Sequence, residues 1–215
     1  MSKRLKKLIK QTRHKLEWRV EEITHPGFDT LYITSNPWGK THKIYIPDKN
    51  VRNIEILHEY GHALLCETIH QMLSTHYFKP DPGPEILKII TPAAQAANDW
   101  FVDDWLFRLV PDLERKEILE SLEMLLSLPE SHVISHPEIL TGLALIIAQA
   151  IKYCGRTVPT TGILKQAVTA LLSVDPSKPT TESITACNNR LLACYCPVQL
   201  EPMIDNGVLC WAVNK

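Results

Sequence analysis

The feature of this chain that most constrains its fold is the five-residue motif His58-Glu59-Tyr60-Gly61-His62. Apolar residues at helical spacing flank the motif on both sides, so we predict that it lies on a half-buried α-helix. Residues four positions apart lie on the same face of a helix, which allows His58 and His62 to direct imidazole nitrogens at one metal ion. The motif therefore predicts a metal site, and the alternative is a surface helix that carries two His and a Glu by coincidence.

The residue types of the motif indicate which metal and which chemistry to expect. Zn²⁺ accepts neutral imidazole and carboxylate ligands and, at catalytic sites, keeps one position open for water. Glu59 falls beside the two histidines, where its carboxylate can polarise that water and carry its proton. The expected reaction is metal-assisted hydrolysis of a peptide bond, with Glu59 as the catalytic base.

A third protein ligand is expected, and a second apolar segment offers candidates. Residues 96–106 read as a helix that carries Asp99 and Asp103 four positions apart. That spacing fits one carboxylate that binds the metal and another that accepts a hydrogen bond from the outer nitrogen of a ligand histidine. The alternative is an acidic stripe that faces water.

These two segments together resemble the ImmA/IrrE-type family of zinc metallopeptidases. The resemblance spans residues 40 to 111, about a third of the chain, and is carried by the motif helix and by Asp99-x-x-Val102-Asp103. It implies that Asp99 is the third zinc ligand and that Asp103 supports a ligand histidine from behind. The chain departs from the family pattern at Asp99, where the family usually has Glu and a side chain longer by one methylene.

Other residues compete for the third position. His76 follows a point at which the motif helix can end, so the chain can fold back and present it; it is the second choice after Asp99. Cys66 lies one turn beyond His62 and is expected to be a buried wall residue. His132 and His136 fall in a loop, where they are expected to lie at the surface, with a role as transition-state donors as the alternative.

The remaining pattern predicts an α+β fold. Strands are expected at 18–21, 30–34 and 43–46, and helices at 114–127, 137–153, 161–174 and 182–194. We expect a zincin-like metallopeptidase core, formed by a small sheet, the motif helix and the second ligand helix, over residues 1–112. An edge strand of that sheet would bind an extended substrate. A helical C-terminal region over residues 113–215 would pack on this core.

Composition indicates a folded protein that is not embedded in a membrane. Apolar residues make up 45% of the chain and charged residues 22%. The longest apolar stretch, 139–151, contains polar interruptions and is expected to be too short to cross a bilayer. No export signal is recognised, so we expect a cytoplasmic location and six reduced cysteines.

The positive charge of the chain is concentrated at its N-terminus. Eight of the first twenty residues are Lys or Arg and one is an acid, Glu17, whereas the whole chain carries a net charge of −1. We expect a basic amphipathic helix that packs by its leucines. Without aromatic interleaving or a helix-turn-helix, a nucleic-acid partner is not favoured.

The sequence thus predicts a zinc endopeptidase, and the resemblance implies that its protein substrate is an intracellular regulator such as a transcriptional repressor. The alternative is a zinc-containing protein-binding module with little or no hydrolytic activity. An intact Glu59 favours the enzyme, because a purely structural metal site needs no catalytic base.

Overall fold

The computed structural model describes residues 2–127 and 136–214. Its elements are, in chain order, α1 (Ser2–Arg13), β1 (Arg19–His25), β2 (Tyr32–Asn36), β3 (Thr41–Pro47), α2 (Asn53–Thr68), a 3₁₀ turn (Gln71–Leu73), α3 (Pro84–Leu109), α4 (Pro111–Leu126), α5 (Pro137–Cys154), α6 (Gly162–Leu172), α7 (Thr181–Leu192), β4 (Gln199–Asp205) and β5 (Val208–Asn214). The chain divides into two compact units. The first contains the residues up to Tyr77 together with Ile204–Cys210, and the second contains the remainder.

The first unit is built on a three-stranded sheet with the order β1-β3-β2. Strand β3 pairs in parallel with β1 and antiparallel with β2. Burial alternates along β3, where His42 and Ile44 are buried and Lys43 between them is exposed. One face of the sheet is therefore packed, as the two-residue period of a strand requires.

Helices α1 and α2 pack together, and α2 also contacts β2. The core of this unit contains Ile33, Ile44, Tyr60 and Ala63, against which Ile9 and five other apolar side chains pack. In α1, Leu5 is buried whereas the lysines on the other side of the helix are exposed. The basic N-terminal segment is thus an amphipathic helix that packs by its apolar side.

The second unit is mainly helical. Helix α5 packs against α3, α4 and α6, and α7 packs against α3 and α6. Trp100 on α3 is 1% exposed, and its indole N–H donates to the carbonyl of Val174 at 3.0 Å. Two polar contacts join α3 to α5: Gln149 Nε2 donates to Asp103 Oδ2 at 2.6 Å, and the Tyr153 hydroxyl donates to Asp104 Oδ1 at 2.7 Å.

The α+β class and the predicted strands and helices are confirmed, with ends that differ by a few residues. Helix α3 begins at Pro84, twelve residues before the predicted segment, and continues through Pro92. The C-terminal region is mostly helical, but β4 and β5 add a two-stranded sheet that the sequence analysis did not predict. Asn206-Gly207 connects them with positive φ at both residues, and this dipeptide is the strongest short-range hairpin signal. The zincin-like core and the boundary after residue 112 stay predictions.

One helix corrects the expectation that no segment is long and apolar enough to cross a membrane. Among the described residues, α5 meets that criterion by length and composition. Half of its 18 residues are buried inside the protein, against the three helices named above. This is also the pattern of the central helix of a soluble domain.

Candidate metal centre

Helix α2 brings His58 and His62 together, as the four-residue spacing predicts. Their Nε2 atoms lie 2.9 Å apart, and their ring centroids are separated by 4.7 Å. Two nitrogens that bind one zinc ion at tetrahedral angles lie about 3.3 Å apart. The two imidazoles therefore already have nearly the separation that a shared metal ion requires.

The ring of His62 is held by the backbone of the 3₁₀ turn. His62 is 8% exposed, and its Nδ1 lies 2.5 Å from the carbonyl oxygen of Leu73. A carbonyl oxygen can only accept, so Nδ1 carries the proton and Nε2 of the neutral ring carries a lone pair. That is the tautomer a metal ligand needs, with the lone pair directed towards His58.

Asp99 completes a group of three ligand-type side chains. Within residues 2–127 and 136–214, His58, His62 and Asp99 are the group of three or more His, Cys, Asp or Glu side chains that can hold a metal ion, and their ligand atoms lie within 4.8 Å of one another. His58 and Asp99 are half-buried. The donor set of two imidazoles and one carboxylate is one that catalytic zinc sites use.

Asp103 accepts a hydrogen bond that the sequence did not predict. The outer nitrogen of His62 donates to the Leu73 carbonyl. Asp103 accepts a hydrogen bond from Gln149, which is 2% exposed on the otherwise apolar helix α5. A contact between Asp103 and the other ligand histidine, His58, stays a prediction.

Two further residues of the motif have distinct surroundings. Glu59 is half-buried on α2, next to His58 in the sequence. Tyr60 is fully buried, and its hydroxyl donates to Glu22 on β1 at 2.5 Å. Burial and, to a lesser extent, the Glu22 carboxylate raise the pKa of Tyr60 well above its usual range. Tyr60 thus anchors α2 to the sheet as a neutral phenol.

The rival ligands lie outside the group of three. Cys66 is buried, as expected of a wall residue, and burial raises the pKa of its thiol to about 12. His76 is half-buried and does not belong to the group. His136 is exposed, as expected of a loop histidine, and His132 lies outside the described residues.

Sequence reasoning missed a buried polar network beside the centre. His42 is fully buried; its Nδ1 lies 2.6 Å from Ser35 Oγ and its Nε2 lies 2.8 Å from Glu67 Oε1. Burial lowers the pKa of His42, and the neighbouring Glu67 carboxylate opposes this shift only in part. The sequence did contain a signal for this network. Residues two apart on a strand lie on the same face, so His42 shares the packed face of β3 with Ile44 and is expected to be buried.

Comparison with protein-family models, with curated proteins and with solved structures gave no match to this chain. The geometry of its own residues is therefore what supports a function.

Proposed function

We propose that this protein is a zinc-dependent endopeptidase. The observation that carries the proposal is the convergence of His58, His62 and Asp99, with Glu59 on the same helix as the two histidines. A site that only stabilised the fold would have no use for a carboxylate between its ligands. The resemblance of the two helices to the ImmA/IrrE-type metallopeptidases supports the same reaction.

The donor set favours zinc over other divalent ions. Imidazole nitrogens suit zinc and neighbouring transition metals, whereas Mg²⁺ and Ca²⁺ prefer sites made only of oxygen. When bound to such residues, zinc supplies Lewis acidity that lowers the pKa of water and polarises a carbonyl group. His62 contributes through Nε2, because its Nδ1–H is engaged with Leu73.

We assign to Glu59 both proton transfers of the reaction. Its carboxylate accepts a proton from the water molecule that adds to the peptide carbonyl. It then delivers that proton to the amine nitrogen as the carbon–nitrogen bond breaks, so that the products are a carboxylic acid and an amine. The residue is ready for the next cycle because it ends as a carboxylate.

The substrate that we propose is an intracellular regulatory protein such as a transcriptional repressor, in keeping with a cytoplasmic location. This rests on the family resemblance. The small sheet is compatible with it, since β1 and β2 are edge strands that can pair with an extended peptide.

The test is proteolysis of an unfolded protein and of a peptide library by the zinc-loaded protein, with products identified by mass spectrometry. We expect Glu59→Gln to retain zinc and to lose at least 10²-fold in rate, about the contribution of a general base. Glu55→Gln is the matched control, because Glu55 lies one turn earlier on α2, where its carboxylate accepts from the Arg52 N–H. Equal cleavage by wild type and Glu59→Gln would refute the mechanism. Zinc binding without cleavage by any variant would favour the protein-binding module.

A further inference from the structure

A series of hydrogen bonds, with one peptide bond between Leu73 and Ser74, leaves α2 at His62 and returns to the same helix at Glu67. It passes through Leu73, Ser74, Ser35 and His42, and we call these six residues the α2 circuit. We propose that Ser35, His42 and Glu67 are positioning residues that fix the imidazole of His62 for metal binding. The inference rests on the proposed metal function, although its first step can be tested without metal.

The circuit begins at the 3₁₀ turn. The Leu73 carbonyl that receives the His62 Nδ1–H belongs to a turn in which Leu73 N–H donates to the His70 carbonyl at 3.0 Å. The His70 side chain accepts from Met72 N–H at 3.1 Å. The position of the Leu73 oxygen, and hence the direction of the His62 ring, depends on where this turn is held.

Ser35 on strand β2 holds the segment that follows the turn. Its hydroxyl oxygen lies 2.5 Å from that of Ser74, and its N–H donates to Thr75 Oγ1 at 2.7 Å. The Tyr77 hydroxyl donates to its carbonyl oxygen. All three polar groups of Ser35 therefore bond to the stretch immediately after Leu73, which ties that stretch to the sheet.

Ser35 is in turn held by His42, and His42 by Glu67. Ser35 is 1% exposed and His42 is fully buried. The proton positions follow from a neutral imidazole: His42 Nε2–H donates to the Glu67 carboxylate, Nδ1 accepts from the Ser35 hydroxyl, and the Ser35 oxygen accepts from the Ser74 hydroxyl. Each hydroxyl proton is used once, so the series has a single direction.

Glu67 closes the circuit on α2, the helix that carries His58 and His62. It lies five residues after His62, and its side chain is 6% exposed. Besides the bond from His42, its carboxylate accepts from Glu17 N–H at 2.7 Å and from Trp18 N–H at 3.0 Å. The indole of Trp18 also stacks on the ring of His42, with centroids 5.0 Å apart.

The His62 ring is thus held at both ends of the circuit by α2. The backbone of α2 carries the ring, and Glu67 of the same helix holds the residues that position the Leu73 carbonyl. Buried hydrogen-bonded groups of this kind have few alternative partners, so loss of one link lets the next one rotate or shift. Partners behind a ligand histidine typically change metal affinity by 10–100-fold when they are removed. Ser35 should have an effect of this size, although two hydrogen bonds and the Leu73–Ser74 peptide bond separate it from the His62 ring.

The experiment compares Ser35→Ala and Ser74→Ala with Tyr60→Phe. The first two each remove one hydroxyl of the α2 circuit. The control removes a buried hydroxyl hydrogen bond of the same helix, to Glu22, that does not lead to His62. Zinc affinity is measured by competition with a chelator. We expect a loss of about 10–100-fold in Ser35→Ala, a smaller loss in Ser74→Ala and wild-type affinity in Tyr60→Phe.

A second readout on the zinc-free proteins separates this inference from the proposed function. Solvent exchange of the His62 Nδ1–H is followed by NMR, with the signal assigned by its disappearance in His62→Gln. We expect faster exchange in Ser35→Ala than in Tyr60→Phe, because the segment that carries the Leu73 carbonyl loses the Ser35–Ser74 hydrogen bond. If the wild type binds no zinc, the proposed function fails, whereas the exchange rates still decide whether the circuit positions His62.

Unchanged zinc affinity in Ser35→Ala would overturn the inference, and so would equal exchange rates in Ser35→Ala and Tyr60→Phe. If Ser35→Ala does not fold, Ser74→Ala, which leaves the Ser35–His42 bond intact, decides the matter by the same two measurements.

Discussion

Two buried histidines of the first unit illustrate two uses of the same side chain. His42 on β3 bonds to Ser35 through one nitrogen and to Glu67 through the other. His62 on α2 gives one nitrogen to a backbone carbonyl and turns the other towards His58. We therefore assign His62 to the metal site, and His42 to the support of the fold and, through Ser35, of the segment that holds the His62 ring. Burial of a histidine says little by itself, and the partners of its two nitrogens indicate its use.

The largest expected effect is on metal binding in His62→Ala. Structural zinc sites bind with apparent free energies of about 10 kcal/mol or more. Loss of one of three ligands should therefore cost about 4 kcal/mol, roughly a thousandfold in affinity. The zinc-free variant should lose about 2 kcal/mol of folding free energy, because the buried ring leaves a cavity and the Leu73 carbonyl loses its hydrogen bond. Chelator competition and urea denaturation measure the two quantities, and unchanged zinc affinity would remove His62 from the site.

In His42→Ala we expect the reverse: the free energy of unfolding should change more than the zinc affinity. It creates a cavity, leaves Ser35 and Glu67 without their shared partner and removes the ring on which Trp18 stacks. We expect a loss of about 3 kcal/mol in the free energy of unfolding. Urea denaturation of the zinc-free protein measures it. A variant as stable as the wild type would contradict the structural role assigned to His42.

Glu67→Gln is a milder test of the same region. The carboxylate accepts hydrogen bonds from three N–H groups. The amide keeps one oxygen as an acceptor, but its NH2 group replaces the other oxygen and faces an N–H donor with which it cannot bond. The expected loss is about 1–2 kcal/mol in the free energy of unfolding. Glu55→Gln is a control because Glu55 lies at the exposed start of α2, where loss of charge should change stability by less than about 0.5 kcal/mol. Equal effects of the two substitutions would place Glu67 among ordinary surface acids.

The smallest effect concerns pH. Burial lowers the pKa of His42 below its ordinary value of 6.5. The unfolded chain therefore binds this proton at a higher pH than the native protein does, and stability falls as the pH decreases from about 7 through the folded pKa. We expect the zinc-free wild type to lose up to about 1 kcal/mol more than His42→Gln between pH 7 and pH 5. Parallel stability curves for the two proteins would show that His42 is not held neutral.

The elements that could be predicted are those in which apolar residues repeat at the period of a helix or a strand. Helix α2 follows from the apolar residues around His58 and His62, and the strands follow from alternation ahead of it. The β4–β5 hairpin was missed although Asn206-Gly207 indicates it, because the helical periodicity of the preceding segments outweighed this short signal.

The candidate site was less predictable beyond its first residues. Spacing on one helix is enough to pair His58 with His62, whereas spacing on the second helix offered both Asp99 and Asp103 and only the family resemblance chose Asp99 as the ligand. The support of His62 by the Leu73 carbonyl involves a backbone atom eleven positions away, which no residue type signals. Likewise, Gln149 appeared only as an interruption of an apolar run, and its bond to Asp103 depends on how α3 and α5 pack.

We assign His58, His62 and Asp99 as the ligands of one metal ion, and this assignment decides the rest of the site. Its most direct test is the metal content of protein purified without added metal, for the wild type, Asp99→Ala and His76→Ala. We predict close to one zinc ion per chain in the wild type and in His76→Ala, and a large loss in Asp99→Ala. A wild-type protein without zinc, or zinc that survives the change at Asp99, would contradict the assignment.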